Sequence, residues 1–281
     1  MQEKLFFGRS PLGFHRIAYT EWGGASSSGR PPIVCVHGLT RNGRDFDYVG
    51  RALAGETKVY CPDIAGRGKS DALADPVHYN YAQYLNDMTA LIARTGADSV
   101  DWIGTSMGGI IGMLLAAEKN TPIRRLIVND IGPFVPLLAL KRIGAYTGTQ
   151  PDFANTGDVE KYMRQIYAPF GELSDENWRH LATHGTRTLP SGRLALAHDP
   201  AIAQALLTLE HDVDLWAAWD RIRCPVLVLR GLKSDILPSE VAQDMTLRGP
   251  RAKLVEFPKI GHAPALMDPT HLSIITEFLL P

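Results

Sequence analysis

Cysteine is scarce in this chain. There are 3 in 281 residues, an odd number without metal-ligand spacing, and Cys35, Cys61 and Cys224 each lie in or beside an apolar strand-like run. That pattern excludes a disulfide framework or a zinc site and reads as buried reduced thiols. An excess of one charge is also absent, with 29 Lys and Arg against 30 Asp and Glu. Nucleic acid, a polyanion or a membrane surface is therefore not the expected partner, and a small neutral or weakly charged ligand fits better. Long hydrophobic runs are missing too. The longest, just after Ser106, is interrupted by glycines and is too short to span a bilayer. The opening residues, Met1 to Gly8, carry an acid early and no sustained apolar segment, so they do not read as a signal peptide. These absences point to a soluble, cytoplasmic protein with no membrane span. His180 and His184 stand at helical spacing without the glutamate of an H-E-x-x-H site and read as a solvated helix face. No metal and no cofactor is expected, and oligomeric state is not legible.

What is present is an alternation of strand-like and helix-like segments. Strands are expected over 14–22, 32–36, 57–61, 99–103, 123–128, 225–229 and 253–257. Helices are expected over 46–53, 81–94, 107–118, 240–247 and 270–279. Short apolar strands separated by helices predict an α/β fold, a mainly parallel central sheet covered on both faces. The Ser-rich stretch 25–29 reads as a loop. From about Gly132 to about Asp214 the rhythm breaks into helix-like stretches (158–167, 174–184, 200–209) with no convincing strand. This segment is expected to be a helical insertion, placed as a lid over the carboxyl ends of the strands where ligands of open sheets bind, or else a structural appendage. The core is then 1–131 with 215–281, and the cap 132–214.

The segment Gly104-Thr105-Ser106-Met107-Gly108-Gly109 follows the apolar run Ser99 to Ile103 and precedes a helix too apolar to face water. A serine on a sharp strand-to-helix turn adopts strained backbone geometry and needs small neighbours two residues to either side, here Gly104 and Gly108. Ser106 is thus the candidate nucleophile.

Three further stretches stand in order around it: His37-Gly38-Leu39-Thr40 after one strand, Asp63-Ile64-Ala65-Gly66-Arg67-Gly68-Lys69-Ser70 after the next, and the late pair Gly231-Leu232-Lys233-Ser234-Asp235 and Gly261-His262-Ala263-Pro264. With the elbow, these make the chain resemble the α/β-hydrolase superfamily over nearly its whole length outside the insertion.

The resemblance implies a set of roles. Serine is a weak nucleophile until a base takes its proton, and His262 stands where the family's base is found. Asp235 is the expected carboxylate on the other imidazole nitrogen, with Asp130 as its rival, because some members take the acid from the earlier strand. Asp130-Ile131-Gly132-Pro133 otherwise reads as a turn braced by its carboxylate. The oxyanion donors are the backbone N–H groups of Met107 and Leu39. A single bulky residue after His-Gly marks the narrower oxyanion hole, suited to esters of primary and secondary alcohols. His37 is expected to brace its loop. Arg41 reads as a solvated loop arginine, with a substrate carboxylate as the alternative.

A serine at the elbow argues against the dehalogenase and epoxide hydrolase chemistries that use aspartate there. Phe134, Val135, Leu137, Leu138, Trp178 and Trp216 are candidates to line an apolar pocket, or else form the insertion's own core. The expected activity is serine-dependent hydrolysis of small to medium apolar carboxylic esters through an acyl-enzyme. Carbon–carbon or lactone hydrolysis with the same groups remains an alternative, and so does a non-catalytic, ligand-binding member of the fold.

Overall fold

Successive residues of the central strands send their side chains to opposite faces of the sheet, and both faces are apolar. Trp102, Val128 and Val228 join the core on one side, while Ile103, Ile127, Leu227 and Leu229 join the core on the other. A strand apolar on both faces is stable only between two helical layers. The computed structural model, which describes residues 1–24 and 29–280, shows that arrangement; of the Ser-rich stretch expected as a loop, residues 25–28 lie outside the described residues.

The sheet contains β1 (Gln2–Ser10), β2 (Gly13–Trp22), β3 (Ile33–Val36), β4 (Val59–Pro62), β5 (Val100–Thr105), β6 (Ile123–Asn129), β7 (Val226–Gly231) and β8 (Lys253–Phe257). Its order is β1-β2-β4-β3-β5-β6-β7-β8. Strands β3 to β8 pair in parallel, and β2 is antiparallel to both β1 and β4. Helices α1 (Asp47–Leu53), α2 (Tyr81–Thr95) and α3 (Met107–Ala116) connect the first half. Strand β1 was not among the expected strands. It is an edge strand with only Phe6 and Gly8 buried, which gives little apolar periodicity to read.

Between β6 and β7 lie α4 (Leu137–Thr147), α5 (Thr156–Ile166) and α6 (Asp175–His184), followed by a 3-10 turn at Pro200–Ala203 that runs into the short helix Gln204–Leu207. The expectation of no strand here is corrected. Leu194–Leu196 pairs with Asp152–Phe153 and Thr186–Thr188, and Phe134–Val135 pairs with Val213–Asp214. Runs of two or three residues are too short for an alternating pattern to be visible. The last helices are α7 (Ser239–Leu247) and α8 (Pro269–Leu279). Among the described residues, no helix is long and apolar enough to cross a membrane.

Candidate active site

The turn from β5 into α3 holds Ser106 at φ 52° and ψ −116°. This is an unusual conformation for a residue with a side chain, and it persists only where the surroundings enforce it. They do so through backbone contact. A Cβ on Gly104 would lie 2.2 Å from the Gly108 carbonyl oxygen, and one on Gly108 would lie 2.0 Å from that of Val36. The Ser106 N–H donates to the Asn129 carbonyl at 3.0 Å, which ties the turn to the end of β6.

The hydroxyl of Ser106 is 2.9 Å from His262 Nε2, and His262 Nδ1 is 2.8 Å from Asp130 Oδ2. The three side chains come from the loops after β5, β8 and β6, on the carboxyl side of the parallel strands, where open α/β sheets bind ligands. Asp130 is fully buried. Its Oδ1 accepts the Gly231 N–H at 2.8 Å and its Oδ2 accepts the Ser234 hydroxyl at 2.6 Å. A buried carboxylate held by several donors is fixed in place, which is what an imidazole needs on its far nitrogen.

The placement of Asp235 is corrected by this geometry. Its side chain is about half exposed and pairs with Arg142 of α4, 2.7 Å from Nη2 and 2.8 Å from Nε. The reason is local. Ser234 Oγ accepts the N–H groups of Ile236 and Leu237 at 3.2 and 3.1 Å, and this tight turn aims Ser234 inward and its neighbour outward. The Gly231-to-Asp235 loop thus contributes a backbone N–H and a hydroxyl to the acid of another strand.

Leu39 lies in the cavity wall beside Ser106, and its carbonyl accepts from Arg67 Nε at 2.9 Å. Met107 opens α3, so its N–H is one of the helix's first donors, which have no acceptor within the helix. His37 accepts the Ile64 N–H on Nε2 at 2.9 Å and therefore donates from Nδ1 to the Gly38 carbonyl at 2.7 Å. Burial pushes its pKa down to about 4, so it is a neutral brace. Asp63 accepts the N–H groups of Gly43 and Lys69 at 2.7 and 2.8 Å, and burial raises its pKa to about 6.

The cavity over Ser106 and His262 is walled partly by loops of the core and partly by the segment between β6 and β7, through Ile143, Tyr146, Ile166, Tyr167, Phe170 and Leu181. The Tyr167 and Phe170 rings stack with centroids 4.9 Å apart, and the Tyr167 hydroxyl is 3.0 Å from Thr40 Oγ1. None of the candidate pocket residues lies in this wall. Trp178 packs with Val159, Met163 and Leu181 in an apolar cluster that backs the wall and shares Leu181 and Tyr167 with it. Val135 is fully buried in the main core, with Phe134 and Trp216 packed against it. Leu137 opens α4 and Leu138 is exposed. Helical side chains project in directions that sequence spacing does not show. Arg41 is not solvated either: it is buried in the wall, donates to Asp45 at 2.9 and 2.6 Å, and lies over the Tyr167 ring.

His180 and His184 are also only partly exposed, and with Asp47 their ligand atoms lie within 4.8 Å of one another. The Asp47 carboxylate, however, is held by Arg44 at 2.8 Å, and His180 Nε2 donates to the Arg44 carbonyl at 2.9 Å. Cys35 and Cys61 are buried and free; Cys224 is free and partly buried, its pKa pushed up to about 11 by burial.

Such a sheet, with a serine at the elbow hydrogen-bonded to a carboxylate-held histidine, defines a hydrolase of the α/β class. The alpha/beta hydrolase family pattern matches residues 33–271, and the chain belongs to that family. It is 43% identical to the 3-hydroxybutyrate-oligomer hydrolase of Cupriavidus necator over 96% of this chain and 94% of that protein. Two solved structures are similar throughout. One, from Rickettsia typhi, has a TM-score of 0.92 at 33% identity and covers 99% of each chain. The other, an alpha/beta hydrolase from Novosphingobium aromaticivorans, has a TM-score of 0.88 at 35% identity, covering 99% of this chain and 97% of that one. This chain is an ester hydrolase.

Proposed function

We propose that this enzyme cleaves the ester bonds of short 3-hydroxyacid oligomers through an acyl-enzyme on Ser106, with His262 as base and Asp130 as its orienting acid. The observation that carries the reading is the unbroken relay of 2.9 and 2.8 Å from Ser106 through His262 to Asp130. As Ser106 Oγ attacks the carbonyl carbon, its proton passes to His262 Nε2, and the imidazolium is stabilised by Asp130 on Nδ1. The N–H groups of Met107 and Leu39 receive the developing negative charge. The carbon–oxygen bond to the leaving alcohol then breaks, and His262 returns the proton to that oxygen. Water repeats the sequence on the acyl-enzyme and frees the acid.

Residues 132–214 act as the lid, and their apolar side chains set the size of acyl and alcohol groups admitted. The substrate class rests on the similarity to the Cupriavidus protein and on a cavity lined by apolar and aromatic groups. Three free thiols accord with a reducing compartment, and we place the enzyme in the cytoplasm. No cofactor enters any of these steps.

The test is Ser106→Ala. Loss of a covalent nucleophile costs on the order of a millionfold in kcat, so the variant should stay folded, hydrolyse neither a 3-hydroxybutyrate dimer nor p-nitrophenyl butyrate, and escape labelling by a fluorophosphonate. Turnover near the parent rate would sink the assignment.

A further inference from the structure

Arg142 belongs to the wall of the same cavity as Ser106 and His262, and no part of the hydrolytic relay uses it. The wall holds a second arginine, Arg41, but that cation is matched inside the wall by Asp45, which takes its Nε and Nη2 at 2.9 and 2.6 Å. Arg142 is different. Its partner Asp235 lies outside the wall, and both Nε and Nη2 converge on the single oxygen Oδ2. One edge of the guanidinium of this cavity-lining residue is thereby spent, and among the described residues no protein acceptor pairs with Nη1. The side chains are 47% and 51% exposed. An ion pair so exposed to water is weak and exchanges its partners readily. The remaining wall is largely apolar, with Ile143 and Tyr146 contributed by the same helix.

We infer that Arg142 is the specificity residue that receives the free terminal carboxylate of the substrate, so that the enzyme selects anionic hydroxyacid oligomers over neutral esters. This rests on the proposed function above. An open hydroxyacid chain has an alcohol at one end and a carboxylate at the other. A guanidinium with a vacant edge meets the carboxylate with paired N–H donors in one plane. When the last ester is cut, that carboxylate belongs to the leaving alcohol, so Arg142 also holds the departing half while His262 protonates its oxygen. Asp235 keeps the guanidinium at the cavity when no substrate is bound and competes with the substrate for it.

The experiment measures binding and turnover separately. The full chain carrying Ser106→Ala is titrated with a 3-hydroxybutyrate dimer bearing a free carboxylate and with the same dimer capped as the primary carboxamide. The acid should bind at least tenfold tighter. Adding Arg142→Gln should bring the two affinities together, Arg142→Lys should restore part of the difference, and Asp235→Asn should enlarge it. Equal affinities with Arg142 present, or an unchanged difference with Arg142→Gln, overturn the inference. If the parent enzyme cleaves neither dimer while the affinity difference stands, the oligomer reading fails and the carboxylate site survives. Absence of binding by both dimers overturns both.

Discussion

The Ser234 hydroxyl lies 2.6 Å from Asp130 Oδ2, the same oxygen that sits 2.8 Å from His262 Nδ1. One residue further on, Asp235 faces away toward Arg142. The loop after β7 therefore serves the site through the side chain beside the one its sequence draws attention to. A second donor on Oδ2 leaves the carboxylate little freedom to rotate off the imidazole, and the Gly231 N–H on Oδ1 closes the remaining direction.

The two acids should separate cleanly. Asp130→Asn presents an amide where a carboxylate fixed the imidazole tautomer, a change worth roughly ten-thousandfold in kcat in the serine triads where it is known. Asp235→Asn should cost at least a hundred times less on a neutral p-nitrophenyl ester. If turnover by the two folded variants ranks the other way, the acid is Asp235.

Ser234→Ala removes one charge-assisted hydrogen bond from Asp130 and the acceptor for two turn N–H groups. Loss of such a bond to an ionised group is worth about 1.5 to 3 kcal/mol, so kcat should fall roughly ten- to a hundredfold. Ser234→Thr, which keeps the hydroxyl, should recover most of it. A purely structural role predicts lower thermal stability for Ser234→Ala with kcat held.

Trp178 and Ile166 both belong to the segment between β6 and β7, yet they should respond differently. Trp178 is 5% exposed and does not itself line the cavity, although its apolar cluster shares Ile166, Tyr167 and Leu181 with the wall. Trp178→Ala should cost about 3 to 5 kcal/mol in urea unfolding and keep the parent ranking of acyl chain lengths. Ile166 lines the cavity, so Ile166→Ala should shift the ratio of kcat/KM between long and short acyl esters several-fold. A shifted chain-length profile with Trp178→Ala would place that ring at the substrate.

Acid should weaken the fold through His198. Burial holds its pKa near 4, below the ordinary histidine value of about 6.5. Between those values the unfolded chain binds a proton that the folded chain refuses. The stability contribution is thus complete above about pH 6.5 and is lost as pH falls toward 4. The loss is on the order of 2 to 3 kcal/mol. His37, held near 4, adds a loss of the same sign, and Asp63, raised to about 6, opposes it, because the folded chain keeps that proton where the unfolded chain releases it. His198→Gln should therefore flatten the fall of the urea midpoint from pH 7 to pH 4. A variant with the full parent slope removes His198 from the account.

The sheet was legible in the sequence because each parallel strand is apolar on both faces and each is followed by a helix or turn signal within a few residues. Helix α2 was equally plain: Asn80 caps its start by accepting the Gln83 N–H, and Gly96 closes it at φ 70°. The elbow was legible for a steric reason, since only glycine fits at 104 and 108 against carbonyl oxygens 2.2 and 2.0 Å from where a Cβ would be. Short strands within 132–214 left no periodic trace, and β1 was hidden because an edge strand buries little. The choice between Asp130 and Asp235 lay beyond sequence altogether. Each follows a strand ending at the same side of the sheet, and which one reaches His262 depends on how the turn at Ser234 rotates successive side chains and on a cation that α4 brings from 93 residues away in the chain. Pocket residues were undetermined for the same cause. The apolar pattern of a helix tells that one face is buried, and only packing decides whether that face meets the core, a neighbouring helix or a substrate.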